Sequence, residues 1–79
     1  SATVPNGESF TLAIIRSEWN DEITANLARG AEEALLENGV LSGNIIKLDV
    51  PGAYELPLAA QWVAEKENVD AVICIGVVN

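Results

Sequence analysis

Three short segments of the sequence place aromatic, acidic or small residues at the carboxyl ends of β-type runs. They are the segments from Ser17 to Asn20, from Pro51 to Glu55 and from Gly76 to Asn79. An indole offers a flat face to a heteroaromatic ring, and small residues let a ligand reach the backbone. A carboxylate accepts hydrogen bonds from hydroxyl groups. These segments are therefore candidates for binding a small molecule that has an aromatic ring and hydroxyls.

Several of these residues also have plain structural interpretations. Trp19 could cover the local core or lie in an interface, and Glu55 could stabilise the dipole of the helix that it opens. Tyr54 is expected to pack rather than react. Arg16 could bind an anion, but with 4 basic residues against 12 acidic ones it is expected to pair with an acid. Cys74 stands in an apolar run, which predicts a buried, unreactive thiol.

The composition excludes several classes of function. A net charge of −8 argues against binding to nucleic acid or to anionic membrane surfaces. The sequence has no histidine and one cysteine, so it offers no imidazole base, no internal disulfide and no predicted metal site. Neither GxGxxG nor a P-loop is present, and no cofactor is predicted. The apolar runs are too short for a membrane span and no signal peptide is recognisable, which predicts a cytoplasmic protein.

The elements that position the three segments alternate between strand and helix. Asn20 is predicted as the N-cap of the first helix, whose apolar stripe comprises Ile23, Leu27, Ala31, Ala34 and Leu35. The second helix is apolar on more than one side, which indicates packing against another subunit. Residues 1–9 are predicted as an arm, flexible or extended through Glu8, and residues 10–79 as part of one domain. The predicted strands are 10–15, 44–50 and 71–78, and the predicted helices are 21–38 and 56–67.

The β-α-β-α-β order predicts a parallel sheet with helices on both faces. With the strand order 2-1-3, this is a flavodoxin-like three-layer αβα arrangement. The last strand, AVICIGVV, has no charge and no proline, so it is a poor edge strand. It requires either a fourth strand, which is missing here, or a covering partner. The chain is therefore predicted to be a βαβαβ half-domain.

Longer stretches of the chain carry a family resemblance. FTLAIIRSEWN, VPGAYELP and VDAVICIGVV follow one another collinearly between Phe10 and Val78, and VPGAYELP is the most specific of them. The chain resembles the N-terminal half of lumazine synthase, the 6,7-dimethyl-8-ribityllumazine synthase of riboflavin biosynthesis. The resemblance implies a transferase that condenses 5-amino-6-ribitylaminouracil with 3,4-dihydroxy-2-butanone 4-phosphate. It also implies a homopentamer, which in some members assembles into an icosahedral shell.

The resemblance also implies roles for the candidate residues. Trp19 stacks on the heterocycle and Asn20 lies beside it. Ala53, Tyr54 and Glu55 line the ribityl pocket after Gly52, and Glu55 binds ribityl hydroxyls. The backbone of Val77 and Val78 borders the pyrimidine.

The sequence departs from this family in one important respect. The family's phosphate loop and proton-transferring histidine would lie beyond Asn79, so no catalytic residue is assigned in this chain. We therefore expect the chain alone to be inactive. One alternative is a non-catalytic assembly or binding module that completes its fold with a separate chain. An unrelated flavodoxin-like domain is a weaker alternative, because RSEWND is not a Ser/Thr/Gly-rich phosphate loop.

Overall fold

The computed structural model describes residues 7–77, which form three strands, two α-helices and three single-turn 3-10 helices. The first strand is shifted two residues toward the C-terminus of its predicted range. The last strand ends at Ile75, before the predicted end at Val78, which lies outside the described residues. The other predicted bounds agree to within one residue. The elements are β1 (Leu12–Ser17), α1 (Asp21–Glu37), β2 (Ile45–Val50), α2 (Leu56–Lys66) and β3 (Ala71–Ile75), with 3-10 turns at Gly7–Ser9, Ser42–Asn44 and Ala53–Glu55.

The three strands form one parallel sheet in the order β2-β1-β3, which confirms the predicted topology. Leu12 of β1 is in register with Ile45 of β2 and with Ala71 of β3. Because all strands run in the same direction, their carboxyl ends meet at one edge of the sheet. This carboxyl edge contains all three candidate segments.

The core lies on both faces of the sheet. Ala13 and Ile15 of β1 pack with Leu56 and Val63 of α2. Ile14, between them, faces the other way and belongs to the cluster that α1 covers. This alternation is what a strand buried on both faces requires. It confirms the three-layer αβα arrangement.

Helix α1 packs on the sheet along a stripe that shares Ala31 and Leu35 with the predicted one and replaces its other members. Thr24 is completely buried and Ala28, Ala31 and Leu35 contact the sheet cluster. A second apolar stripe of α1 faces outward instead: Ile23, Leu27 and Ala34 are exposed. The sequence holds two overlapping apolar stripes of similar quality, and hydropathy alone could not choose between them.

The two ends of α1 use left-handed residues. Asn20 occupies the N-cap position as predicted, but with φ 57° and ψ 56° and without a side-chain capping bond. Gly39, with φ 92°, follows the helix as predicted.

The N-terminal arm differs from prediction at its C-terminal end: Gly7 is buried and its N–H donates to the carbonyl of Asn38 at 2.9 Å. Residues 1–6 lie outside the described part of the chain.

Helix α2 and strand β3 leave apolar surface uncovered within the described chain. Pro57 occupies the first turn of α2, as predicted. Leu58 is 70% exposed and Trp62 is 52% exposed, which agrees with a helix that is apolar on two sides.

The predicted burial of Cys74 is wrong: the thiol is exposed, because β3 is an outer strand of the sheet. Between residues 7 and 77 no helix is both long and apolar enough to cross a membrane.

Candidate functional site at the carboxyl edge of the sheet

Gly76 marks the point where the three strand ends meet. A Cβ built on Gly76 would lie 2.7 Å from Cδ1 of Leu56, 3.4 Å from Cβ of Ala53 and 3.7 Å from Cβ of Ser17. These neighbours belong to the start of α2, the turn after β2 and the end of β1. The segments that are distant in sequence are therefore adjacent in space, as parallel topology predicts.

The loop after β1 is held from within the sheet. The N–H of Glu18 donates to the carbonyl of Val50 at 2.7 Å, which extends the pairing of β1 with β2 by one bond. The buried hydroxyl oxygen of Ser17 accepts a hydrogen bond from the backbone N–H of Trp19 at 3.2 Å. Trp19 itself is 55% exposed, so its ring is available to a ligand or a partner. The interpretation of Trp19 as a cover for the local core is therefore not favoured.

Arg16 pairs with acids, as the sequence predicts. Its Nη2 lies 2.9 Å from Oδ2 of Asp49 and its Nη1 lies 2.5 Å from Oδ1 of Asp21. Hydrogen bonds to Asp49 and then to Asp21 raise the pKa of Arg16 above its ordinary value. The guanidinium is a permanent cation, and each of its nitrogens already donates to a protein oxygen, so it is a poor candidate for binding a free anion.

Glu55 combines an exposed carboxylate with a backbone turn. Its N–H donates to the carbonyl of Gly52 at 3.1 Å, and its Oε1 would lie 3.1 Å from a Cβ built on Gly52. Glu55 occupies the N-cap position of α2 but makes no side-chain capping bond. The carboxylate is thus close to the positive end of the helix and keeps its lone pairs for an external donor.

The remaining candidates occupy different environments. The prediction that Tyr54 packs is wrong within this chain, because the residue is 85% exposed and Ala53 takes the inward position of the same turn. Asn20 is exposed at the left-handed position before α1. Val77 follows Gly76 and is partly buried. Val78 lies outside the described residues.

Sequence reasoning missed two supports of this site. The role of Ser17 was signalled only by a hydroxyl two residues after the apolar run that ends at Ile15. The left-handed backbone at Asn20 was signalled by the residue type, since asparagine tolerates positive φ better than other non-glycine residues. Neither signal was specific enough to assign a contact.

Residues 9–79 match the family model described as 6,7-dimethyl-8-ribityllumazine synthase. A 6,7-dimethyl-8-ribityllumazine synthase of Cytophaga hutchinsonii is 51% identical over 78 residues, covering 99% of this chain and 49% of that protein.

Two further relatives carry the same name. The one from Flavobacterium johnsoniae is 47% identical over 96% of this chain and 40% of that protein. The one from Porphyromonas gingivalis is 47% identical over 96% of this chain and 47% of that protein. The chain spans about half or less of the length of these relatives. On its family match and these identities, the chain belongs to the 6,7-dimethyl-8-ribityllumazine synthase family.

Proposed function

We propose that this chain supplies the part of a lumazine synthase site that binds the heterocycle and the ribityl chain. The reaction would be the condensation of 5-amino-6-ribitylaminouracil with 3,4-dihydroxy-2-butanone 4-phosphate, with loss of phosphate, formation of a Schiff base and ring closure. The observation that supports this most directly is the meeting of three strand ends at Gly76. The exposed indole of Trp19 and the exposed carboxylate of Glu55, which makes no capping bond to α2, belong to loops at this same edge.

Each candidate residue has a role in this proposal. The indole of Trp19 stacks on the pyrimidine-derived ring, with Asn20 next to it. Glu55 accepts hydrogen bonds from ribityl hydroxyls, and Tyr54 lines the same pocket. The backbone near Gly52 and Ala53 is approachable because it carries little side-chain bulk. The backbone at Val77 and Val78 borders the pyrimidine.

Binding of the phosphate and transfer of protons are proposed to depend on groups outside this sequence. The chain contains no histidine and only 4 basic residues. Arg16 is the basic residue nearest the end of β1, and it is engaged by two carboxylates. Lys47 pairs with Glu32 on the face that α1 covers. We therefore expect the chain alone to bind a ribityllumazine without turning substrates over.

A binding experiment tests the two halves of this proposal separately. The chain is titrated with 6,7-dimethyl-8-ribityllumazine and with 6,7-dimethyllumazine, which lacks the ribityl group. We expect Trp19→Ala to weaken both ligands about tenfold or more, and Trp19→Phe to retain most of the affinity. Glu55→Ala should weaken only the ribityl compound, by about tenfold, because it removes a charged acceptor. Equal losses for both ligands in Glu55→Ala would contradict the assigned role.

Turnover is tested in a graft. Residues 9–77 replace the corresponding segment of the Cytophaga hutchinsonii relative, so that the remainder of that protein completes the site. We expect the graft to form the lumazine from both substrates and the chain alone to stay at the uncatalysed rate. A graft that folds but binds no lumazine would refute the proposal, and so would turnover by the chain alone.

A second candidate function is an assembly or binding module without chemistry of its own. The outward stripe of α1 and the exposed Leu58 and Trp62 of α2 support it, because they leave apolar surface for another chain. A separately produced C-terminal half of a relative, mixed with this chain, should then restore activity in trans.

We further propose that the protein forms a homopentamer or a multiple of it and is located in the cytoplasm. Native mass spectrometry of the graft tests the subunit number.

A further inference from the structure

Arg16 makes more polar contacts than any other side chain described between residues 7 and 77. Its Nε and Nη2 donate to the two carboxylate oxygens of Asp49 at 3.2 and 2.9 Å. Its Nη1 reaches Oδ1 of Asp21 at 2.5 Å and Oγ1 of Thr24 at 3.3 Å. The paired bonds to Asp49 use the planar fork that arginine has and lysine lacks. The guanidinium therefore fixes an orientation as well as a charge.

The partners of Arg16 lie on both sides of the loop that carries Trp19. Asp49 is in β2, where it is in register with Arg16, and Asp21 is the first residue of α1. The loop between Arg16 and Asp21 is thus anchored to the sheet at one end and to the helix start at the other. The Arg16 side chain is only 15% exposed, whereas that of Asp21 is 69% exposed. The protein therefore shields the guanidinium of this ion pair from solvent and leaves the carboxylate exposed.

Thr24 extends this connection to the backbone of the loop. Its buried hydroxyl accepts from Arg16 and lies 3.3 Å from the carbonyl oxygens of both Asn20 and Asp21, to either of which it can donate. The N–H of Thr24 also donates to the carbonyl of Asn20 at 3.1 Å. The residue that follows Trp19 is therefore held through its carbonyl by a group that Arg16 contacts directly.

We propose that Arg16 is a positioning residue: it locks the first turn of α1 against β2 and so sets the orientation of the Trp19 indole at the carboxyl edge, without binding substrate. This inference rests on the proposed function in that the indole is taken as the ring that stacks on the ligand. Each guanidinium nitrogen already donates to a protein oxygen and two carboxylates flank the group, so an added anion is not expected to bind there.

The experiment records the 19F NMR resonances of Trp19 and Trp62 in protein that is labelled with 5-fluorotryptophan. Trp19→Phe assigns the Trp19 resonance, and Trp62 serves as a control in the same spectrum because it lies on α2. We expect Arg16→Met, Arg16→Lys and Asp49→Ala each to shift or broaden the Trp19 resonance and to leave Trp62 unchanged. Lys47→Met is the matched control, because it removes an ion pair between β2 and α1 that does not involve Arg16 and should leave both resonances as in the parent.

Affinity for 6,7-dimethyl-8-ribityllumazine is the second measurement. We expect Arg16→Met to weaken it about tenfold, and the double variant with Asp49→Ala to bind as Arg16→Met does, because Arg16→Met already removes the pair with Asp49. Addition of inorganic phosphate should leave the Trp19 resonance of the parent in place. If the isolated chain has no cooperative melt, the same variants are measured in the graft.

Three results would overturn the inference. The first is an Arg16→Met variant with a lower melting temperature but a parent-like Trp19 resonance at low temperature, which would mean a general stabilising role. The second is a parent-like Arg16→Lys, which would mean that charge rather than the fork matters. The third is a phosphate-induced shift of Trp19 that Arg16→Met abolishes. A parent that binds no lumazine refutes the proposed function instead, while the Trp19 resonance still decides the role of Arg16.

Discussion

Gly76 and Leu56 approach so closely that no side chain fits between the end of β3 and the start of α2. A Cβ on Gly76 would lie 2.7 Å from Cδ1 of Leu56, which is well inside van der Waals contact. Leu56 is buried in the cluster that includes Ala13 and Ile15 of β1. The meeting of strand ends that forms the candidate site thus depends on a missing side chain at one position.

Gly76→Ala should destabilise the chain by about 1–3 kcal/mol, since an added methyl group must displace Leu56 from a packed core. It should also weaken ribityllumazine binding, because the displaced segment continues from the turn that carries Glu55. The free energy of unfolding from urea denaturation measures the first effect. Adding Leu56→Val should recover part of the loss, because it removes the atom that the methyl group meets.

Gly43→Ala is the control for Gly76→Ala. A Cβ on Gly43 would meet nothing within 4 Å, and Gly43 lies in the Ser42–Asn44 turn, away from the carboxyl edge. Its effect on the free energy of unfolding should stay within about 0.5 kcal/mol. If Gly76→Ala were equally neutral, the close contact with Leu56 would be wrong.

Ser17→Ala should loosen the loop that carries Trp19. The hydroxyl of Ser17 is completely buried and accepts from the N–H of Trp19. Removing it leaves that N–H without its acceptor, which costs about 1 kcal/mol of unfolding free energy. In addition, amide hydrogen exchange at Trp19 should become faster in the variant.

The exposed Ser42 provides the comparison for Ser17→Ala. Ser42→Ala should change neither the exchange rate at Trp19 nor the unfolding free energy by a measurable amount. An unchanged exchange rate in Ser17→Ala would show that another group holds the loop.

The fold could be predicted from the sequence to a large extent, because its signals are local and repeated. The stop at Pro51-Gly52 and the left-handed residue Gly39 each define an element end, whereas the apolar run ending at Ile15 stops two residues before the end of β1. The alternation of strand and helix then leaves parallel pairing as the expected topology. The orientation of α1 could not be predicted, because Thr24 faces the sheet through hydrogen bonds that hydropathy does not report.

The candidate site could be predicted by position but not by contact. Topology alone places Trp19, Glu55 and Gly76 at one edge of the sheet. The contacts that hold them there, such as the fork between Arg16 and Asp49, join residues 33 positions apart and leave no local sequence signal. The exposure of Tyr54 and Cys74 was likewise unpredictable from residue type, because both types are often buried.

Gly30→Ala should stabilise the isolated chain. Gly30 lies inside α1 on its outward side, and a Cβ there would meet nothing within 4 Å. Alanine in an exposed helix interior is favoured over glycine by about 0.5–1 kcal/mol. A rise in melting temperature of a few degrees, about 4–8 °C per kcal/mol at this chain length, would show it. An unchanged or lower melting temperature would mean that α1 does not exist as a continuous helix in the isolated chain.

Asn20 allows its backbone and side-chain roles to be separated. Its φ of 57° and ψ of 56° suit glycine and cost alanine about 1–2 kcal/mol. Asn20→Ala should therefore lower the unfolding free energy, whereas Asn20→Gly should stay close to the parent. Both variants remove the amide that is proposed to lie beside the heterocycle, so both should weaken ribityllumazine binding after correction for the folded fraction. A parent-like affinity in Asn20→Gly would assign this residue a conformational role alone, because glycine keeps the left-handed turn and offers no side chain to the ligand.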